Sequence, residues 1–290
     1  MIVFNSMKTI SVLTAVTVAL LIWYGTGRQP FSAAAAFVRK LAVSPLHLVT
    51  LAALLLILAF NKLELSLEAA LPVTHDLTHA LTGWEGSWQS QLQHLLESPW
   101  LTLVCAFFYL VVFQAFVVAS LFVYVSSGNY RLYFALCVAM LLNYLVALPF
   151  YVFVPVHEAW SVSSQIRFLM LDVYPNFETQ YRQLSGLDNC FPSLHTSISA
   201  TMALLAIHSG NRRWAIFGTA NAVIIFFSIF YLGIHWATDM FAGLALACFA
   251  VAVGLGFGTW ASERSDKRLD RQRSLSAKIK KLGPSSTTES

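Results

Sequence analysis

The sequence predicts an all-α, polytopic membrane helix bundle of about seven transmembrane helices. Hydrophobic residues fill 57% of the 290 positions and charged residues only 11%, against roughly 25% charged in an average soluble domain. The mean hydropathy is +0.66. The apolar residues gather in seven runs, at about 9–25, 41–60, 100–125, 132–154, 192–209, 214–232 and 236–259, near the ~20 residues that cross a bilayer core as a helix. A soluble core has no room for this much apolar surface. The composition therefore argues against a soluble globular enzyme and rules out a largely disordered chain.

The first run ends in Trp23-Tyr24-Gly25 before Arg28. It lacks a clear small-x-small cleavage site and is read as a retained helix. The fifth opens with Pro192 and carries His195, Ser197, Ser199 and Thr201, so it should face protein rather than lipid. Two connections are long. Residues 61–99 contain amphipathic stretches with Trp84 and Trp88, and Trp100 follows, the pattern of chain lying at a membrane interface. Residues 155–191 carry His157, Trp160, Arg167, Tyr174, Tyr181 and Arg182. The resulting organisation is a transmembrane helix and cytoplasmic loop over 1–40, a membrane-embedded core over 41–260, and a basic tail over 261–290. The tail mixes Lys and Arg with Ser and Thr and is expected to extend as helix before fraying into disorder. No internal repeat is visible.

Net charge is +4, but eight of the 18 basic residues fall in the last 31 positions. That is a membrane-protein tail, not a nucleic-acid groove. Cytoplasmic loops are rich in Lys and Arg. With seven spans, segments 26–40, 127–131, 210–213 and 260–290 share one side and hold 14 of the 18 basic residues, whereas the other side holds nine of the 14 acids. The N-terminus is thus expected outside and the C-terminal tail in the cytoplasm. The cysteines are Cys105, Cys137, Cys190 and Cys248. They form no C-x-x-C pair and suggest neither a disulfide framework nor a zinc site.

Two polar clusters interrupt the apolar chain. One is Asp188-Asn189-Cys190-Phe191-Pro192-Ser193-Leu194-His195, and the other runs from Ser228 through Tyr231, Gly233 and His235 to Asp239. The charge count puts His195 and His235 at the same outer depth, 40 residues apart in sequence. His235 and Asp239 are spaced i, i+4, one face of a helix. A carboxylate that accepts the Nδ1–H of an imidazole leaves Nε2 free as a nucleophile or base. An intramembrane Asp also calls for a partner. Pro192-Ser193-Leu194-His195 reads as a helix start, with Pro at the first position or Ser193 as cap. Either way its free N–H groups favour an anion.

Together these clusters resemble the type 2 phosphatidic acid phosphatase superfamily. That family carries P-S-G-H and S-R-x5-H-x3-D elements on adjacent core helices. Here they read Pro192-Ser193-Leu194-His195 and Ser228-Ile229-x5-His235-x3-Asp239. The resemblance implies a six-helix phosphatase-type core, with the first helix as an addition. The family's third element, K-x6-R-P, falls at Ala147, Val154 and Pro155, so both of its cations are absent. Leu194 stands for Gly and Ile229 for Arg. This pattern looks more like the inositol phosphorylceramide synthase branch, which transfers a phosphoinositol head group between lipids. Substitute phosphate donors are sought by proximity in sequence among Arg167, Arg182, His157 and Asn189.

The mechanism implied by the resemblance makes His235 the nucleophile, oriented by Asp239, and His195 the proton donor to the leaving oxygen. Ser193 and backbone N–H groups hold the equatorial oxygens. No metal or cofactor is expected. The partners are a membrane lipid phosphoester and, for transfer, a lipid alcohol acceptor. The alternative within the superfamily is a lipid phosphate or polyprenyl diphosphate phosphatase. A transporter or receptor is the rival class, disfavoured because no broken-helix pair or repeat is visible and because a receptor does not need these three side chains to meet. The remaining polar residues have plainer readings. His75-Asp76-x-x-His79 is taken as a surface or interfacial group, His208 as interfacial, His47 as lying near a span start, His94 as part of an amphipathic stretch, and Asn143 as an interhelical hydrogen bond.

Overall fold

The computed structural model describes residues 3–68, 76–86, 88–182 and 186–281, with side chains described over 3–59, 76–86, 88–182 and 186–265. Among these residues the fold is helical, with no β-strand; one isolated bridge pairs Val156 with Asn189. His75 and the final residues 282–290, whose expected roles were a surface group and a fraying tail, lie outside the described residues.

Helix α1 (Met7–Thr26) is capped by Ser6, whose side chain accepts the N–H of Thr9. Helix α2 (Pro30–Val43) follows, and α3 (Pro45–Glu68) leaves it at 106°. This departs from the expected loop over 26–40 and from a span beginning at residue 41. Pro45 has no N–H to donate and disfavours helical backbone in the residue before it, so the helix breaks at Ser44, which is extended. The apolar run reads through this break because hydropathy does not register the backbone geometry before proline.

Two short helices, α4 (Thr78–Glu85) and α5 (Trp88–Leu96), precede the next span. Helix α6 (Pro99–Phe107) widens into a π turn over Phe108–Val112 and continues as α7 (Phe113–Ser126). Helix α8 (Tyr130–Phe153) starts at Asn129, which accepts the N–H of Leu132. The segment after α8 has two single-turn helices, α9 (Ala159–Val162) and α10 (Phe177–Gln180). Then come α11 (Leu194–His208), α12 (Arg212–Tyr231) and α13 (Ala237–Lys281).

Among the described residues, five helical segments are long and apolar enough to cross a membrane, six when the bent α2–α3 pair is taken as one span. Helix α11 is apolar but shorter, with 15 residues. Its polar side chains face protein as expected, since Ser197, Ser199 and Thr201 are buried. Asn143 of α8 is buried and donates to Thr201 Oγ1 at 3.2 Å and to Ala139 O at 2.7 Å. Those bonds replace water for an amide inside an apolar bundle. Helix α8 lies at the centre, packed against α3, α11 and α13, while α11 also packs along α12 and α13. This places the α11 N-terminus beside the α12–α13 connection.

Candidate active site

The site is assembled where three chain reversals meet. The first is the start of α11. Ser193 is its cap and accepts the N–H of Thr196 at 3.3 Å, which decides between the two helix starts open to the sequence. The Ser193 hydroxyl proton stays available to a ligand. The Ser193 N–H donates to Asp239 O at 3.1 Å, and Tyr151 donates its hydroxyl to Pro192 O at 2.9 Å. Gly243 permits this close approach, because a Cβ there would stand 2.6 Å from Ser193 O.

The second reversal is the loop from α12 to α13. Gly233 takes a left-handed conformation, φ +81°, which suits a residue without Cβ. A Cβ at that position would also meet Arg167 O at 2.4 Å. The turn folds the chain back on α12, and the N–H groups of Ile234 and His235 both donate to Ile229 O. His235 is therefore loop, not helix, and the expected shared helical face is not the reason it reaches Asp239. Instead, Asp239 lies in the first turn of α13 and its Oδ2 accepts the N–H of Trp236 at 2.9 Å. The same oxygen lies 3.3 Å from His235 Nδ1. Both side chains are buried.

His195, one residue into α11, presents its ring to this pair. The His195 and His235 ring centroids are 6.2 Å apart. The π turn over Phe108–Val112 brings Tyr109 against the His195 ring, stacked at 3.9 Å and 16°. Phe113 lies 4.7 Å from the same ring. π turns recur at functional sites because the extra residue re-aims a side chain. Tyr109 was not singled out from the sequence, where nothing distinguishes it within an apolar run.

The third reversal, the 155–191 segment, holds the four sought-after donors. His157 is held against α4, its Nδ1 lying 3.2 Å from Thr78 Oγ1. Its N–H donates to Thr78 Oγ1 at 3.0 Å, and its carbonyl accepts from Trp236 Nε1 at 3.0 Å. Asn189 forms the bridge with Val156, and its Oδ1 is buried with no partner among the described residues. Arg182 is largely buried and saturated: it bonds both oxygens of Glu158 at 2.7 and 2.8 Å, both of Glu178 at 2.9 and 3.1 Å, and Gly186 O at 3.2 Å. Burial pulls its guanidinium down, but the bonds to Glu158 and Glu178 outweigh this and hold it above its ordinary value. Arg167 is half exposed and paired with Glu97 and Asp172. Neither guanidinium is free. At the family's cation positions, Ala147 and Ile229 are fully buried among apolar side chains.

Cys190 is a further neighbour that sequence reasoning passed over. Its sulfur, an imidazole nitrogen of His235 and a carboxylate oxygen of Asp239 all lie within 4.8 Å of one another. Burial, joined by the carboxylates of Asp239 and Glu158, pushes the Cys190 thiol well above its usual range. Thiol, imidazole and carboxylate suit a thiophilic divalent cation, and this set contains the same imidazole that Asp239 orients.

Chemically, the arrangement offers an imidazole oriented by a buried carboxylate, a second imidazole whose ring centre lies 6.2 Å from the first, and a helix start with a hydroxyl nearby. Compared with known families, residues 75–253 match the family described as the PAP2 superfamily. No curated protein and no solved structure matches the chain. The matched stretch runs from just before α4 into α13, so it contains all three reversals.

Proposed function

Because the chain belongs to the PAP2 superfamily, a phosphatase and phosphotransferase family, we propose that it transfers a phosphorus-bearing head group between membrane lipids through a phosphohistidine at His235. The observation that carries this reading is the His195–His235–Asp239 constellation, with ring centroids 6.2 Å apart and His235 Nδ1 turned to Asp239. His235 Nε2 attacks phosphorus; the N–P bond forms and the bond to the lipid oxygen breaks. That oxygen takes a proton from His195. An acceptor hydroxyl then gives its proton to His195 and attacks phosphorus, and the N–P bond breaks. Ser193 and the α11 N-terminus stabilise the equatorial oxygens, where positioning and electrostatics carry most of the rate.

Transfer is preferred to hydrolysis because the site is poor in cations. Ala147, Val154 and Ile229 stand where the resemblance calls for Lys, Arg and Arg, and Arg182 already balances two carboxylates. Each missing charge-assisted hydrogen bond is worth on the order of 1.5–3 kcal/mol, and a phosphomonoester dianion needs them more than a phosphodiester monoanion. The donor is then a phosphodiester lipid, the acceptor a lipid alcohol, and the nearest branch that of inositol phosphorylceramide synthases. The Lys and Arg bias of the loops supports an extracytoplasmic site and a cytoplasmic tail. The test is turnover of phosphatidylinositol against phosphatidic acid in one detergent, with and without ceramide. Acceptor-dependent turnover of the diester supports transfer. Faster phosphate release from phosphatidic acid, indifferent to acceptor, leaves the phosphatase reading standing instead.

A further inference from the structure

Helices α4 and α5 were expected to lie at the membrane interface, yet one side of the pair reaches into the site loop. Glu85, Gln89 and Gln93, spaced by four, all point at the α12–α13 connection. The Glu85 carboxylate accepts the N–H of Ala237 at 2.6 Å, the N–H of Thr238 at 2.8 Å and the Thr238 hydroxyl at 2.6 Å. These are unpaired donors at the start of α13, the turn that carries Asp239. Gln89 is fully buried and donates Nε2 to the carbonyl of His235 itself at 2.8 Å. Gln93, also buried, donates to Tyr231 O at 3.0 Å and Arg167 O at 2.8 Å, and accepts the Arg167 N–H at 3.0 Å. The opposite side of the pair exposes Trp84, Trp88 and Leu95.

We propose that Glu85, Gln89 and Gln93 are positioning residues that hold the His235 backbone and the Asp239 turn in the reactive arrangement. The proposal rests on the reading of His235 as nucleophile. The three side chains bond the loop before, at and after His235. The loop carries a left-handed Gly233 and is bonded from its other side by the 155–160 segment, through Ala159 N–H to Ile234 O and Trp160 N–H to Gly233 O. A loop gripped from two sides by hydrogen bonds has few ways to shift, and a misplacement of about 1 Å at a reacting atom costs on the order of 100-fold in rate. Glu85 also fills the α13 N-terminus, which leaves the α11 N-terminus as the one facing an anion.

The experiment traps the enzyme–phosphorus adduct in the full chain. Purified protein in detergent is mixed with phosphatidylinositol or phosphatidic acid, whichever is turned over faster, labelled with 32P, and quenched on the millisecond scale. Gln89→Leu and Glu85→Leu should slow adduct formation by about 10–100-fold per folded molecule, with KM changed less than about twofold. Glu85→Gln, which keeps an acceptor oxygen, should recover much of the rate. Folded protein is counted by gel filtration and thermal melting. Variants that lose folded protein but keep the wild-type rate per folded molecule overturn the positioning role and leave the phosphohistidine reading intact. A wild-type enzyme that turns substrate over with no adduct on His235 overturns both.

Discussion

Asp239 Oδ2 lies 3.3 Å from His235 Nδ1 while accepting the Trp236 N–H at 2.9 Å. One carboxylate oxygen therefore ties the imidazole to the first turn of α13. With Nδ1 engaged, Nε2 is the nitrogen left to react. The other oxygen, Oδ1, is buried without a partner among the described residues, so nothing else on the carboxylate competes for its orientation.

Replacing Asp239 with Asn should lower turnover by about 100-fold or more, as losing the orienting partner of a catalytic imidazole does. His235→Ala should abolish it. Turnover of purified, monodisperse variants measures both. An Asp239→Asn enzyme within a few-fold of wild type would show that the carboxylate does not orient the nucleophile.

His195 is expected to act on the leaving oxygen, so its importance should scale with how badly that oxygen needs a proton. His195→Ala should reduce turnover of a diacylglycerol ester by about 100-fold or more, and of a p-nitrophenyl phosphoester far less. Equal losses on both substrates would assign His195 to binding instead.

Tyr109 stacks on the His195 ring at 3.9 Å, and ring pairs of this kind contribute about 0.5–1.5 kcal/mol. Tyr109→Phe preserves the stack and should retain most of the activity that Tyr109→Leu loses. Parallel loss in Phe and Leu variants would mean that the hydroxyl, not the ring, matters.

Chelation and metal addition should have opposite signs from those of a metalloenzyme. EDTA should leave activity in place, whereas cadmium or zinc should inhibit by engaging Cys190, His235 and Asp239 together. Cys190→Ser should need a higher metal concentration for the same inhibition. Activation of chelated enzyme by zinc or magnesium would contradict the proposed chemistry.

Arg182 should prove structural. It is largely buried against the buried Glu158 and also bonds Glu178, and removing it strands the Glu158 carboxylate, at a cost of up to about 3–5 kcal/mol. Arg182→Leu should melt markedly lower than wild type. A variant with unchanged melting temperature and a raised KM would instead make Arg182 a substrate ligand.

Several elements were legible in the residues because they depend on local chemistry. Each of the seven apolar runs is built mainly of helix, the second one broken at Ser44, since hydropathy and length decide what can cross a bilayer. Helix α11 turns its Ser and Thr inward, as polar side chains in such a span must. Asn143 bonds across helices for the same reason. The two motif clusters fall in one place, with the His195 and His235 ring centroids 6.2 Å apart.

Other features turned on geometry that no local pattern encodes. The break at Ser44 hides inside an apolar run because proline acts on backbone angles, not on hydropathy. His235 reaches Asp239 through a turn rather than along a helix, and only the Gly233 reversal reveals it. Arg167 and Arg182 look like free cations until Glu97 and Glu158, far away in sequence, join their near neighbours Asp172 and Glu178 in pairing them. Glu85, Gln89, Gln93, Tyr109 and Cys190 belong to the site by tertiary contact alone. By itself, then, the sequence determined that this is a helical membrane protein with two histidines and an aspartate at one depth. Which side chains hold those three, and which charges are already spent on partners, was decided by the tertiary structure, because hydrogen bonds and ion pairs between distant segments form only once the helices have packed.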